Sequence, residues 1–168
     1  VNELGLTQSL IHENRPTERT RHSGYWQTKY AMDSGVLDVS YRFATDDWDI
    51  KSHTLDSRLR FNLDNDRYIQ PHVRYYQQSA AEFYQPFLME GTTLPSFASA
   101  DYRLGEMTAY TIGLKYGVKA SSGKEWAFRL EYYQQDPKNA GFVAPGELQQ
   151  LDLYPSVKAV IAQISYSF

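Results

Sequence analysis

Four histidines, a run of aspartates and a set of opposed charges are the residues here whose types could do chemistry. His12 and His22 lie in or beside one polar stretch, His53 follows the aspartate run, and His72 stands two residues before Arg74. Lipid-cleaving chemistry needs a serine and a histidine side by side on one surface. His22-Ser23 and Ser52-His53 are chain neighbours, which a strand sends to opposite faces. Neither pair serves. Asp46-Asp47-Trp48-Asp49 with His53 could supply acid and base at a rim, and the same carboxylates could hold calcium through oxygen ligands. The run lacks the fuller pattern and the glycine of a calcium loop, and exposed aspartates are usually just solvated. No phosphate loop, zinc spacing or dinucleotide fingerprint occurs, and the chain has no cysteine for a disulfide or a thiolate metal site. No cofactor and no enzymatic activity are expected.

The opposed charges are more informative. Asp38, Arg42, Asp56, Arg58, Arg60, Arg74, Lys115, Arg129 and Glu131 all fall in the polar phase of a two-residue alternation. Leu55, Ser57, Leu59, Phe61 and Leu63 share the other phase of their segment, as do Leu37, Val39, Tyr41 and Phe43, and Tyr110, Ile112, Leu114, Tyr116 and Val118. Trp126, Phe128, Leu130 and Tyr132 repeat the pattern, then Val160, Ala162, Ile164, Tyr166 and Phe168. Period two is the mark of strands with different environments on their faces. The elements that position the charges are therefore strands.

Eight strands are predicted, two weaker ones opening the chain near Glu3–Ile11 and Arg21–Met32. Their links alternate in length. Asp33-Ser34-Gly35, Asp64-Asn65-Asp66 and Ala120–Lys124 read as tight turns. Between them lie longer links at His12–Thr20, Ala44–Lys51, Gln78–Arg103 and Pro137–Pro155. Short periplasmic turns alternating with long extracellular loops are what an outer-membrane barrel requires. The strands are also long, where a tilted membrane strand needs about 9–11 residues and soluble strands run nearer 5–6. Pro71, which cannot donate to a ladder, marks the place for a bulge.

Composition sets the remaining bounds. With 14 Tyr, 8 Phe and 3 Trp, the apolar fraction is carried by rings that suit strands and water–lipid boundaries. A net charge of −3 argues against nucleic acid as a partner. No run of about 18 apolar residues predicts a transmembrane helix. The chain opens at Val1 with neither an initiator Met nor a signal peptide, as expected of a processed or trimmed protein. In a membrane barrel the apolar phase faces lipid, the charges pair inside, and their basic excess would favour anions in a water-filled lumen. A soluble lipocalin-like barrel is the non-membrane alternative.

The closing Ile164-Ser165-Tyr166-Ser167-Phe168 resembles the C-terminal signal by which outer-membrane barrels are recognised by their assembly machinery. Arg74-Tyr75-Tyr76-Gln77-Gln78-Ser79-Ala80-Ala81-Glu82-Phe83-Tyr84 and Ala100-Asp101-Tyr102-Arg103-Leu104 resemble stretches of a larger, uncharacterised family of bacterial outer-membrane proteins. The resemblance implies an all-β, antiparallel up-and-down transmembrane barrel over residues 1–168, the C-terminal part of a larger one. It places the C-terminus in the periplasm and makes outer-membrane lipid and the assembly machinery partners. Phe83, Tyr84, Phe87, Leu88, Met89 and Phe97 give the 78–103 loop an apolar surface that could plug the barrel, pack on its rim or hold another envelope protein. The expected role is structural or partner-binding through these loops; the alternative is a porin-like or transport barrel wall with a mildly basic lumen, and behind it an outer-membrane hydrolase. Finally, Arg74-Tyr75-Tyr76-Gln77-Gln78 is echoed by Glu131-Tyr132-Tyr133-Gln134-Gln135.

Overall fold

The computed structural model describes residues 1–120, 123–139 and 141–168. Seven strands follow one another: β1 Arg21–Met32, β2 Gly35–Asp46, β3 Lys51–Leu63, β4 Arg67–Gln78, β5 Met107–Lys119, β6 Glu125–Pro137 and β7 Val157–Ser167. Each pairs antiparallel with its chain neighbour, giving one up-and-down sheet in the order β1 to β7. The strands run 11 to 13 residues, so the expected length holds.

Two expectations are corrected. The strand near Glu3–Ile11 does not form. The side-chain oxygen of Asn2 accepts from the backbone N–H groups of Leu4 and Leu6, and Gly5 takes a positive φ of 77°. These turn-forming bonds use the donors a ladder would need. Nor do the seven strands close into a barrel: β1 pairs only with β2, and β7 only with β6. An up-and-down sheet with an odd strand number has its two edge strands parallel. Closing it on itself would need a parallel pair in an otherwise antiparallel wall.

The alternation of link length survives, with smaller differences. β1–β2 turns through Asp33 and Ser34, and β3–β4 through Asp64, Asn65 and Asp66, the last two at positive φ, which Asn and Asp tolerate. Ser121 and Ser122 of the expected Ala120–Lys124 turn lie outside the described residues, but its ends meet through Ala120 N–H and the Lys124 carbonyl at 2.7 Å. The Ala44–Lys51 link shrinks to four residues, 47–50, because both flanking strands run further than read. Residues 79–106 and 138–156 remain long. Pro71 introduces no bulge. The ladder lapses between Arg58↔His72 and Phe61↔Ile69, with the same register on both sides. The missing N–H thus costs ladder bonds without adding a residue.

Burial runs opposite to that of a soluble sheet. Ile112, Leu114, Phe128, Leu130, Val160 and Ile164 are exposed, Ile112 at 57% and Val160 at 70%, while Tyr68, His72, Thr111 and Ala127 on the other face are buried. Among the described residues no second layer covers either face, and a single sheet buries one face only by curling towards it. Here it curls towards its polar side. The total accessible surface, 11297 Å² for 19.4 kDa, exceeds the roughly 8,500 Å² of a compact soluble chain of that mass.

The apolar core sits at one end. Ile50, Ala81, Phe83, Tyr84 and Leu104 are buried together, with Trp48, Ala80, Phe142 and Tyr154 packed against them. The N-terminal segment is tied into this loop layer: the Val1 ammonium donates to the Leu88 carbonyl at 2.7 Å, and Asn14 bridges to Ala98.

Candidate functional site on the polar face

The sheet register stacks the polar-phase residues into rows. His72 on β4 stands opposite Gly113 on β5, which stands opposite Glu131 on β6. A Cβ on Gly113 would come within 2.6 Å of the Glu131 side chain. With no side chain at 113, His72 reaches across a whole strand. Its Nδ1 lies 2.8 Å from Glu131 Oε1, and its Nε2 lies 3.0 Å from Asp56 Oδ2 on β3. Each ring nitrogen thus faces a carboxylate oxygen at hydrogen-bonding distance. Arg58 joins Asp56 at 3.5 Å and Arg129 joins Glu131 at 3.9 Å. Gln70 and Lys115 stand beside Arg58, His72, Arg129 and Glu131 in this cluster.

A second row holds the turn end. Tyr68 lies over Gly117, and a Cβ there would overlap its ring. An aromatic ring covering a glycine across a strand pair pins the register. Tyr68 is 1% exposed; its hydroxyl donates to Glu125, and the Arg60 guanidinium sits 3.7 Å above the ring. Lys115 approaches Glu125 at 3.7 Å.

Of the nine charges singled out in the sequence, the structure gathers Asp56, Arg58, Arg129 and Glu131 around His72. Lys115 and Arg60 join the Tyr68–Glu125 row. Asp38 and Arg42 are set apart near the β1 edge, Asp38 with Lys29 at 3.5 Å and Arg42 over Tyr25 at 5.3 Å. Arg74 lines a separate cavity. Tyr68 and Glu125 were not singled out, although both lie in the polar phase; what marks them is the pair of glycines, Gly113 and Gly117, in that same phase on β5.

The rim candidates are drawn apart. Asp46 lies in the polar phase and His53 in the apolar one, where His53 meets the Tyr41 hydroxyl at 2.6 Å. Asp46 accepts from the N–H groups of Trp48 and Ile50 and from Arg19, and Asp47 from Thr20 N–H. These carboxylates hold a turn. Among the described residues no group of three His, Asp or Glu could hold a metal ion.

The chain matches, over residues 1–168, the model of a family described as protein of unknown function (DUF3570). It belongs to that family. No curated protein and no solved structure matches it. For this DUF3570 chain, the loop residues divide: Phe83 and Tyr84 are buried in the rim core, Phe87, Leu88 and Met89 are half-buried, and Phe97 is exposed. Burial pushes the Tyr84 phenol up to about 12.

Asp101 anchors the loop layer of this family member. It accepts from Arg103 through both carboxylate oxygens and from Arg15 at 3.1 Å. The Arg103 hydrogen bonds hold its carboxyl at about 2, against an opposing effect of desolvation. A depressed carboxyl stabilises the folded loop above its unfolded value near 4, and that contribution is lost as pH falls through about 2. Amide hydrogen exchange at residues 96–105 is therefore expected to quicken between about pH 4 and pH 2 relative to the strands. In Asp101→Asn this differential change should vanish.

Proposed function

We propose that this chain forms part of the wall of an outer-membrane β-barrel, its apolar face against lipid and its polar face lining the interior. The observation that carries this is the inverted burial of the sheet: an exposed apolar face, and a polar face on which Ser52, Tyr68, His72, Gln78 and Thr111 are buried and most of the charges half-buried. Large uncovered apolar surfaces mark contact with another phase or partner, and a soluble barrel of the lipocalin kind needs the reverse, apolar within and polar without. Further support comes from strand lengths sufficient for a tilted span, the alternating links, and rings near the strand ends. Trp126 packs on Tyr166 at 4.6 Å, with Phe168 beyond, as in an aromatic girdle. In this reading Ile164, Tyr166 and Phe168 form the segment that the assembly machinery takes up, with the loop layer at the external mouth.

Within that class we favour a conduit wall over a docking platform. Two open sheet edges accept further strands, and barrels well above eight strands leave an aqueous channel. Phe83 and Tyr84, the loop's apolar centre, are spent on rim packing. Docking of another envelope protein keeps the support of Leu94 and Phe97, both exposed.

Purified full-length protein is expected to stay monodisperse only with detergent or lipid; a single sharp species in plain buffer would overturn the membrane reading. In planar bilayers it should give stable, mildly anion-selective conductance. A silent bilayer would remove the conduit and leave the docking role.

A further inference from the structure

We infer that the cavity beside Arg74 is a binding site for a small organic carboxylate. This goes beyond the barrel reading and does not need the sheet to lie in lipid. The cavity, of about 170 Å³, is lined by Arg74, Tyr76, Met107, Ala109, Thr111, Tyr133 and Gln135. Register explains its shape. Arg74, Thr111 and Tyr133 form one row across β4, β5 and β6, and Tyr76, Ala109 and Gln135 form the next. Small buried residues of β5 make the floor, and larger residues of the flanking strands make the walls.

The walls come from the echoed Tyr-Tyr-Gln-Gln segments. Tyr76 donates to Gln78 Oε1 at 2.6 Å, and Tyr133 to Gln135 Oε1 at 2.8 Å. The same two-residue clasp thus holds each ring upright on its strand. With its oxygen engaged, Gln135 has amide N–H groups to offer the cavity. The Thr111 hydroxyl has no protein partner among the described residues.

Charge decides the ligand class. No carboxylate lines the cavity. Asp56, the register partner of Arg74, turns instead to His72 and Arg58. Lys29, Arg58, Lys115 and Arg129 each have an acid within 4.0 Å, while Arg42 and Arg60 lie over tyrosine rings. Among the described residues Arg74 has neither. A guanidinium fork without an acid, flanked by further donors, matches a carboxylate held through two parallel hydrogen bonds. A single base suits a single negative charge. The tyrosine faces, Met107 and Ala109 suit an apolar body, and a cavity of ~150 Å³ already admits a benzene ring.

The test is a titration of benzoate into the purified full-length protein in detergent micelles, followed by calorimetry or saturation-transfer NMR. Benzamide serves as the neutral isostere and inorganic phosphate as the alternative anion. Saturable benzoate binding is expected, weakened ~10-fold or more in Arg74→Gln. Benzamide and phosphate should bind the unaltered protein weaker by a similar factor. Arg74→Lys, which keeps the charge but loses the fork, should fall between, and Ala109→Val, which narrows the floor and leaves Arg74 in place, should also weaken benzoate. Absent or non-saturable benzoate binding, equal binding by benzamide, preference for phosphate, or an affinity unmoved by these substitutions would each overturn the inference. Binding in micelles is read independently of conductance, so a silent bilayer and an empty cavity are separate results.

Discussion

Replacing His72 by alanine is expected to destabilise the folded protein by about 2–4 kcal/mol. The side chain stands between two carboxylates that are themselves largely covered, Asp56 at 18% and Glu131 at 13% exposure. Removing it leaves two largely covered carboxylates without the ring that stands between them. A buried acceptor left without its partner costs about 1–3 kcal/mol, more when it is charged; two such acceptors, with Arg58 and Arg129 still nearby, give the expected range. The penalty belongs to the orphaned charges more than to the lost contacts. Asp56→Asn with Glu131→Gln in the same chain should therefore recover part of the loss: it removes the orphaned acids but takes from Arg58 and Arg129 their own partners. Guanidinium unfolding of the full-length protein in micelles measures this. A single variant within about 0.5 kcal/mol of the parent, or a triple variant no more stable than the single one, would contradict it.

Tyr68→Ala should cost about 3–4 kcal/mol, since a fully buried aromatic leaves a cavity when truncated and here also releases Arg60 and Glu125. Gly117→Ala should cost about 1–3 kcal/mol, because the new Cβ meets the Tyr68 ring and the ring cannot move without breaking its two other contacts. The two effects should not add. In the Tyr68→Ala background a methyl group at 117 enters vacated space and relieves the entropic cost of glycine in a strand, so a coupling of about 1–3 kcal/mol is expected. Additive effects in the same unfolding experiment would mean that the ring does not depend on the glycine.

Strand phase was legible because alternation is a local property: Leu55 to Leu63 and Tyr110 to Val118 show it without reference to any partner. The polar face followed from the same phase, so the nine charges land on one side of the sheet. What the charges do with one another was not legible, because it depends on register across strands. Asp56, His72 and Glu131 lie far apart in the chain and meet only because Gly113 stands between two of them. The glycines were visible, but nothing local distinguishes a glycine that admits a neighbour from one that merely bends a strand. The opening segment misled for a related reason. Leu4, Leu6 and Leu10 have strand spacing, yet Asn2 takes the backbone donors and Gly5 turns the chain. Closure, too, is a property of the whole strand set and cannot be read from any one strand.

The inverted face is tested most directly by spin labels in lipid. The chain has no cysteine of its own, so single substitutions can be labelled at Ile112, Leu114 and Leu130 on the apolar face and at Gln70, Lys115 and Arg129 on the polar one. In proteoliposomes of the full-length protein, the first three labels should relax with oxygen, which partitions into lipid, and be shielded from a water-soluble nickel complex. The second three should lack oxygen contact, alternating with the first along β5 and β6. Nickel access at Ile112, Leu114 and Leu130, with oxygen contact on the polar face or on neither, would contradict a lipid-facing sheet.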